Sequence, residues 1–219
     1  MSDQEMIASD YRAATDSFKK RRSETTLITG CMFSGKTTQL LNKLAACPIG
    51  SAIAIRHRID DRYRTDAIVS HDGRTFPAVT IRDASTLRRL HFDSRVRLVV
   101  IDEVHFLDDM LTEAIDLMAR RGLNVLMAGL NLSSWGEPFA HLESLADCVT
   151  RVVVRKGICA RCGGEADHTQ RLTPIVDGRM VGGPESYEPR CARCWTPPPV
   201  STTSGGSSAS AHDALQERS

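Results

Sequence analysis

Three groups of residues in this chain have the types and spacing to do chemistry. The first, Gly30-Cys31-Met32-Phe33-Ser34-Gly35-Lys36-Thr37, fits the pattern G-x-x-x-x-G-K-[ST] without a gap. Glycines let such a loop curl so that successive backbone N–H groups point inward, and a following helix adds the positive end of its dipole. The product is a phosphate cradle, in which Lys36 reaches the terminal phosphates and the Thr37 hydroxyl ligates Mg²⁺. Gly30, Ser34, Gly35, Lys36, Thr37 and Thr38 are therefore the predicted ATP contacts. A chance match in a turn is the competing reading, opposed by the β-type run before the loop and the helical run after it.

The second group is Asp102-Glu103, directly after the apolar run Leu98-Val99-Val100-Ile101. Ligands of a doubly wound sheet sit beyond the carboxyl ends of its strands, so both carboxylates are predicted beside the loop 30–37. Asp102 fits the acid that holds Mg²⁺ through water, and Glu103 the base that takes a proton from an attacking hydroxyl. The alternative is a solvated pair capping the next helix. The third group is Cys159-Ala160-Arg161-Cys162 and, after 28 intervening residues, Cys191-Ala192-Arg193-Cys194. Two Cys-x-x-Cys knuckles supply four thiolates for a closed tetrahedral Zn²⁺ site, which is structural because no coordination position stays open. Disulfides, a redox dithiol or a free-standing zinc ribbon compete with that reading. The remaining Cys31, Cys47 and Cys148 read as ordinary buried thiols.

The elements that must position these groups follow from periodicity. Strand-like runs at 25–29, 52–56, 98–101, 125–128 and 152–154 alternate with helical runs at 36–46, 109–121 and 139–146, and a hairpin turn is expected at His71-Asp72-Gly73. This alternation predicts an α/β fold, a P-loop NTPase-type doubly wound parallel sheet. After Gly157 the pattern gives way to short Cys-, Gly- and Arg-rich pieces that need a metal staple. The expected layout is a polar tail at 1–24, a nucleotide-binding domain at 25–156, a small zinc-binding lobe at 157–195, and a disordered Pro/Ser/Gly tail at 196–219.

Composition narrows the partners. With 219 residues, 41% of them hydrophobic, the chain supports one substantial core and a small satellite. Its 28 basic and 27 acidic side chains give no global field to hold nucleic acid. No apolar run reaches the ~18 residues needed to span a bilayer, and the polar first 24 residues contain no signal-peptide core, so a cytoplasmic protein is expected.

Taken together, the three groups, in this order and at these intervals, resemble the type II thymidine kinases, a family with a P-loop domain and a zinc-bound lasso lobe. The resemblance covers about 25–195 and includes Asp60-Asp61-Arg62-Tyr63, Ser70-His71-Asp72-Gly73, Gly129-Leu130, Glu137-Pro138-Phe139, Thr169-Gln170-Arg171 and Val181-Gly182-Gly183. It implies ATP-dependent phosphorylation of the thymidine 5′-hydroxyl by a homotetramer. By the same resemblance, Glu103 is the general base and Arg62 the arginine near the transferred phosphate, while Met32, Phe106, Leu130, Thr169 and Tyr187 line the thymidine pocket. The lasso backbone, here about 175–187, is expected to bind the pyrimidine edge.

The chain departs from the family in two places. Val104-His105 stands where relatives carry a small residue and then Gln, and Leu130-Asn131-Leu132-Ser133-Ser134 replaces Leu-Asp-Gly, one residue and Phe, leaving Trp135 one place further on. His105 reads either as a pocket hydrogen-bonder or as a packed surface residue. The phosphate machinery is untouched, so the competing functions are a kinase for another deoxynucleoside, such as deoxyuridine, and a non-catalytic ATP-binding or zinc-ribbon interaction protein.

Overall fold

The computed structural model describes residues 23–58, 66–70, 72–173 and 182–198. Asp60, Asp61, Arg62, Tyr63, His71, residues 174–181 and the outer parts of both tails lie outside the described residues.

The apolar runs form β1 (Thr25–Gly30), β2 (Ala52–His57), β5 (Leu98–Asp102), β6 (Asn124–Leu130) and β7 (Arg151–Arg155). Between β2 and β5, β3 (Ala67–Val69) and β4 (Thr75–Ile81) make the expected hairpin, its turn closed by the Gly73 N–H donating to Ser70 O at 2.9 Å. The seven strands build one sheet in the order β3-β4-β2-β5-β6-β1-β7, parallel at every pairing except β3 with β4.

Both faces of the sheet are covered, which is why β5 is a continuous apolar run rather than an alternating one. On one face, α1 (Lys36–Ala45) buries Leu40, Leu41 and Leu44 against Ile28, Ala54, Val100 and Ala128. The other face carries α2 (Ala84–Arg89), α3 (Leu111–Arg120) and α4 (Ala140–Cys148), whose Leu87, Ile115, Met118 and Leu145 meet Leu27, Ile55, Val99, Ile101 and Met127. Helix α2 was not legible from periodicity because it is too short to show a stripe. Its signal is the cap: Asp83 Oδ1 accepts from Thr86 N–H at 2.6 Å and from the Ser85 hydroxyl at 2.9 Å.

A smaller lobe follows. In it β8 (Gly157–Ile158) pairs with β9 (Glu165–Ala166), and β10 (His168–Arg171) with β11 (Tyr187–Arg190), both antiparallel. Polar contacts join the lobe to the sheet domain. The Met32 N–H donates to Thr169 Oγ1 at 3.1 Å, Cys31 Sγ to Ala166 O at 3.4 Å, and Asn131 Nδ2 to Asp167 O at 3.1 Å. At the inner ends of the expected tails, Ser23 Oγ donates to Ala119 O at 2.8 Å and Thr196 N–H to Gln170 Oε1 at 2.8 Å, so both residues are tied to the folded part. The expectation that all three leftover cysteines are buried is corrected: Cys31 is buried, Cys47 is half-buried, and Cys148, at the end of α4, is exposed. A surface helix end has no apolar partner left to cover it.

Candidate active site

The loop between β1 and α1 curls around a positive-φ Gly30 (151°) and a Gly35 (79°) that begins the helix, with Phe33 also left-handed at 61°. Space makes Gly30 obligatory, because a Cβ there would lie 2.1 Å from the carbonyl oxygen of Arg155. Lys36 is buried and turns back into the loop, donating from Nζ to Gly30 O at 3.0 Å and Cys31 O at 2.7 Å. Burial lowers its pKa, opposed by the charges of Glu103, Cys31 and Asp102.

The acidic pair lies where the topology predicted. Although β6 separates β1 from β5, the Thr37 hydroxyl donates to Asp102 Oδ2 at 2.9 Å, so the first turn of α1 and the end of β5 face a common point. Burial first, then the charge of Glu103, pushes the Asp102 carboxyl up from 3.8 to about 7, against the hydrogen bond from Thr37. The capping-pair alternative fails for Asp102, which is buried and bonded to Thr37. Glu103 itself adopts a left-handed backbone (φ 55°), uncommon outside glycine and a mark of functional turns.

An aromatic and apolar cluster includes residues of the loop after β1. Met32, Leu130 and Tyr187 are buried together, with Phe33 and Phe139 packed against them, and Thr169 is buried beneath Met32. Arg171 Nη1 donates to the Tyr187 hydroxyl at 3.2 Å. Phe106 joins through rings: its centroid is 4.1 Å from that of His105, which is 5.2 Å from Phe139. The five residues named for a nucleoside pocket are thus drawn into one neighbourhood, while Arg62 lies outside the described residues. The surface reading of His105 is corrected, since the imidazole is buried and accepts the Leu130 N–H at Nδ1.

Three further residues escaped the sequence reading. Arg155 reaches from the end of β7 to donate to Ser34 O at 3.2 Å, and Arg56, buried on β2, stands opposite Asp102 in strand register. Neither belongs to a local motif. Phe139 sits in the Glu137-Pro138-Phe139 segment, which did carry a signal. In the altered loop, Ser134 is completely buried and Trp135 half-buried, its N–H donating to Ser133 Oγ at 3.2 Å.

The four knuckle cysteines converge. Their Sγ atoms all lie within 4.8 Å of one another, with Cys162 and Cys191 at 3.7 Å. Thiolates about 2.3 Å from a tetrahedral Zn²⁺ stand roughly 3.8 Å apart, so donor type and spacing fit the metal. The turns are set by backbone bonds, Gly163 N–H to Cys159 O and Cys194 N–H to Cys191 O, each 2.9 Å. Hydrogen bonding with Cys191 and then burial push the Cys194 thiol up to about 12.

A Gly-rich cradle after the first strand of the parallel sheet, with a carboxylate at a neighbouring strand end hydrogen-bonded to the cradle's threonine, defines a P-loop α/β protein. The family model described as thymidine kinase matches residues 23–195, and the chain belongs to the thymidine kinase family. Membership makes it a nucleoside kinase, a phosphotransferase whose family implies ATP as donor. No helix among the described residues is long and apolar enough to cross a membrane.

Proposed function

We propose that this protein is a thymidine kinase, transferring the γ-phosphoryl group of ATP to the 5′-hydroxyl of thymidine to give dTMP. The carrying observation is the Thr37–Asp102 hydrogen bond, which joins cradle and acidic strand end with Glu103 next in sequence. Gly30, Ser34, Gly35, Lys36, Thr37 and Thr38 hold the phosphates. Thr37 and, through water, Asp102 hold Mg²⁺, which offsets phosphate charge when bound. Glu103 accepts the proton of the 5′-hydroxyl as its oxygen bonds to the γ-phosphorus and the bond to the bridging β–γ oxygen breaks, releasing ADP. Arg62 offsets charge on the transferring group. Met32, Phe106, Leu130, Thr169 and Tyr187 hold the nucleoside, and Cys159, Cys162, Cys191 and Cys194 bind a structural Zn²⁺. We also infer a homotetramer in a reducing cytoplasm, the setting that keeps thiolates available to metal.

A second reading, a kinase for another deoxynucleoside such as deoxyuridine, is favoured by one observation. Asn131, where relatives carry Asp, donates from Nδ2 to Asp167 O at 3.1 Å, so the altered loop is tied to the lobe. The deciding experiment follows labelled γ-phosphate from ATP into a panel of thymidine, deoxyuridine and deoxycytidine, with a no-nucleoside control, using zinc-replete protein. Thymidine is expected to be labelled most, and Glu103→Gln to lower kcat by at least about 100-fold while ATP still binds. Labelling of another nucleoside instead selects the second reading. No labelling, with ATP bound, selects a non-catalytic binding protein, and full turnover by Glu103→Gln removes Glu103 from the role of base.

A further inference from the structure

We infer that Trp195 is a positioning residue for the nucleoside: its indole, carried by the second cysteine knuckle, seats on Gly136 and holds the altered loop 131–137 against the lobe. The inference rests on the reading of Met32, Phe106, Leu130, Thr169 and Tyr187 as the nucleoside pocket. On the lobe side the indole is fixed by its backbone and by its ring. The Trp195 N–H donates to Cys191 O at 2.9 Å, so the knuckle turn sets where the residue starts. A reciprocal pair follows directly, the Thr196 N–H to Gln170 Oε1 at 2.8 Å and Gln170 Nε2 to Thr196 O at 2.9 Å. The ring itself lies 4.7 Å from that of His168, centroid to centroid.

Across the seam, Gly136 has a backbone φ of 81°, and a Cβ there would fall 2.8 Å from Trp195 Cη2 and 3.2 Å from Cζ2. Those atoms belong to the outer edge of the six-membered ring, so only glycine lets this indole close on the loop. The loop it meets is braced. The Ser133 N–H donates to Glu137 O at 2.7 Å and the Gly136 N–H to Ser133 O at 3.1 Å, while Ser133 Oγ accepts from the Trp135 and Glu137 N–H groups at 3.2 and 3.3 Å. Asn131 Nδ2 adds its bond to Asp167 O, one residue before His168. The feet of the loop reach the pocket: Leu130 is buried with Met32 and Tyr187, and Phe139 packs against them. A braced turn passes a displacement at Gly136 to its feet instead of absorbing it. Lys36, Thr37 and Asp102 lie on other elements, so the contact acts on nucleoside binding and leaves the phosphate side alone.

Trp195→Phe separates this contact from the packing of the lobe, since a benzene ring still faces His168 but lacks the outer atoms that reach Gly136. Trp195→Ala removes both contacts, and Gly136→Ala presses on the indole from the loop side. These variants and the Gly136→Ala/Trp195→Phe double are first checked for zinc content and cooperative unfolding. Nucleoside KM, ATP KM and kcat are then measured with thymidine, or with deoxyuridine if labelling selects it, together with calorimetric binding of the same nucleoside to the ADP-bound protein. Trp195→Phe and Trp195→Ala are expected to raise the nucleoside KM about fivefold or more, with the calorimetric Kd rising in step, while kcat and ATP KM stay within about twofold of the parent. Gly136→Ala is expected to raise the nucleoside KM as well. The double variant is expected within about twofold of Trp195→Phe alone, because the smaller ring leaves room for the methyl group. Parent-like nucleoside KM in whichever Trp195 variants fold, an equal loss in ATP KM, or additive effects in the double overturns the inference. If the Trp195 variants match a parent that phosphorylates the nucleoside, only the role of Trp195 falls. If the parent neither binds nor phosphorylates any nucleoside of the panel, the reading of the pocket falls with it.

Discussion

At Asp102 the fold has raised the pKa of one carboxyl to about 7, by burial and then by the charge of Glu103. A carboxyl whose pKa is higher in the folded chain than in the unfolded one ionises at the expense of folding. Its favourable contribution is complete below about pH 4 and is lost as pH rises through about 7. Asp102→Asn cannot ionise, so without nucleotide or Mg²⁺ it is expected to melt above the parent at pH 8, with the gap closing at pH 5. Thermal scans at the two pH values test this, and an equal gap at both would count against it. The same variant should lose the extra stabilisation that Mg²⁺ adds to bound nucleotide. A charge costly to the empty protein becomes useful when a cation is there to meet it.

Among the elements, the cradle depends on the strand beside it as much as on its own glycines. β7 sends the carbonyl of Arg155 against Gly30 and its guanidinium to Ser34 O, so an edge strand about 120 residues downstream shapes the loop after β1. Gly30→Ala places a methyl into that carbonyl at a backbone φ of 151°, and the strand or the loop must move. The expected result is a stability loss of about 2 kcal/mol or more and no thermal shift on adding ADP, read in one set of melting curves. An unaltered ADP-induced shift would show that the loop tolerates the displacement. Helix α2 teaches the same lesson at lower stakes, being specified by the Asp83 cap rather than by an apolar stripe.

For the molecule as a whole, the lobe and the sheet domain both contribute residues to the proposed nucleoside site. Thr169 and Tyr187 come from the lobe, Met32 and Leu130 from the loop and β6, and the Met32 N–H joins them through Thr169. The knuckle cysteines lie close by, with Cys31 of the cradle packed against Cys159 and Ala166. Four thiols this close cannot all ionise without a cation, so metal removal should loosen the lobe and with it the nucleoside side of the site. Chelation that strips zinc, verified by metal analysis, is expected to lower the melting temperature, expose 157–195 to protease and cost more in nucleoside KM than in ADP affinity. Zinc addition should restore all three. Parent-like protease resistance in metal-free protein would show that the lobe holds without it.

The sequence by itself determined the parallel α/β class, the cradle at 30–37, the acidic pair and the cysteine knuckles, because each depends on local periodicity or on fixed spacing along the chain. Only the tertiary structure decided that Thr37 meets Asp102 across an intervening strand, that Arg155 reaches the loop after β1 and Arg56 stands opposite Asp102, and that His105 is buried against Glu103 and Leu130. Those contacts join residues whose distance along the chain is unrelated to their distance in space, or, for His105, depend on one left-handed turn that no motif announces. Strand order and backbone conformation set them, and neither is written in the spacing of residues.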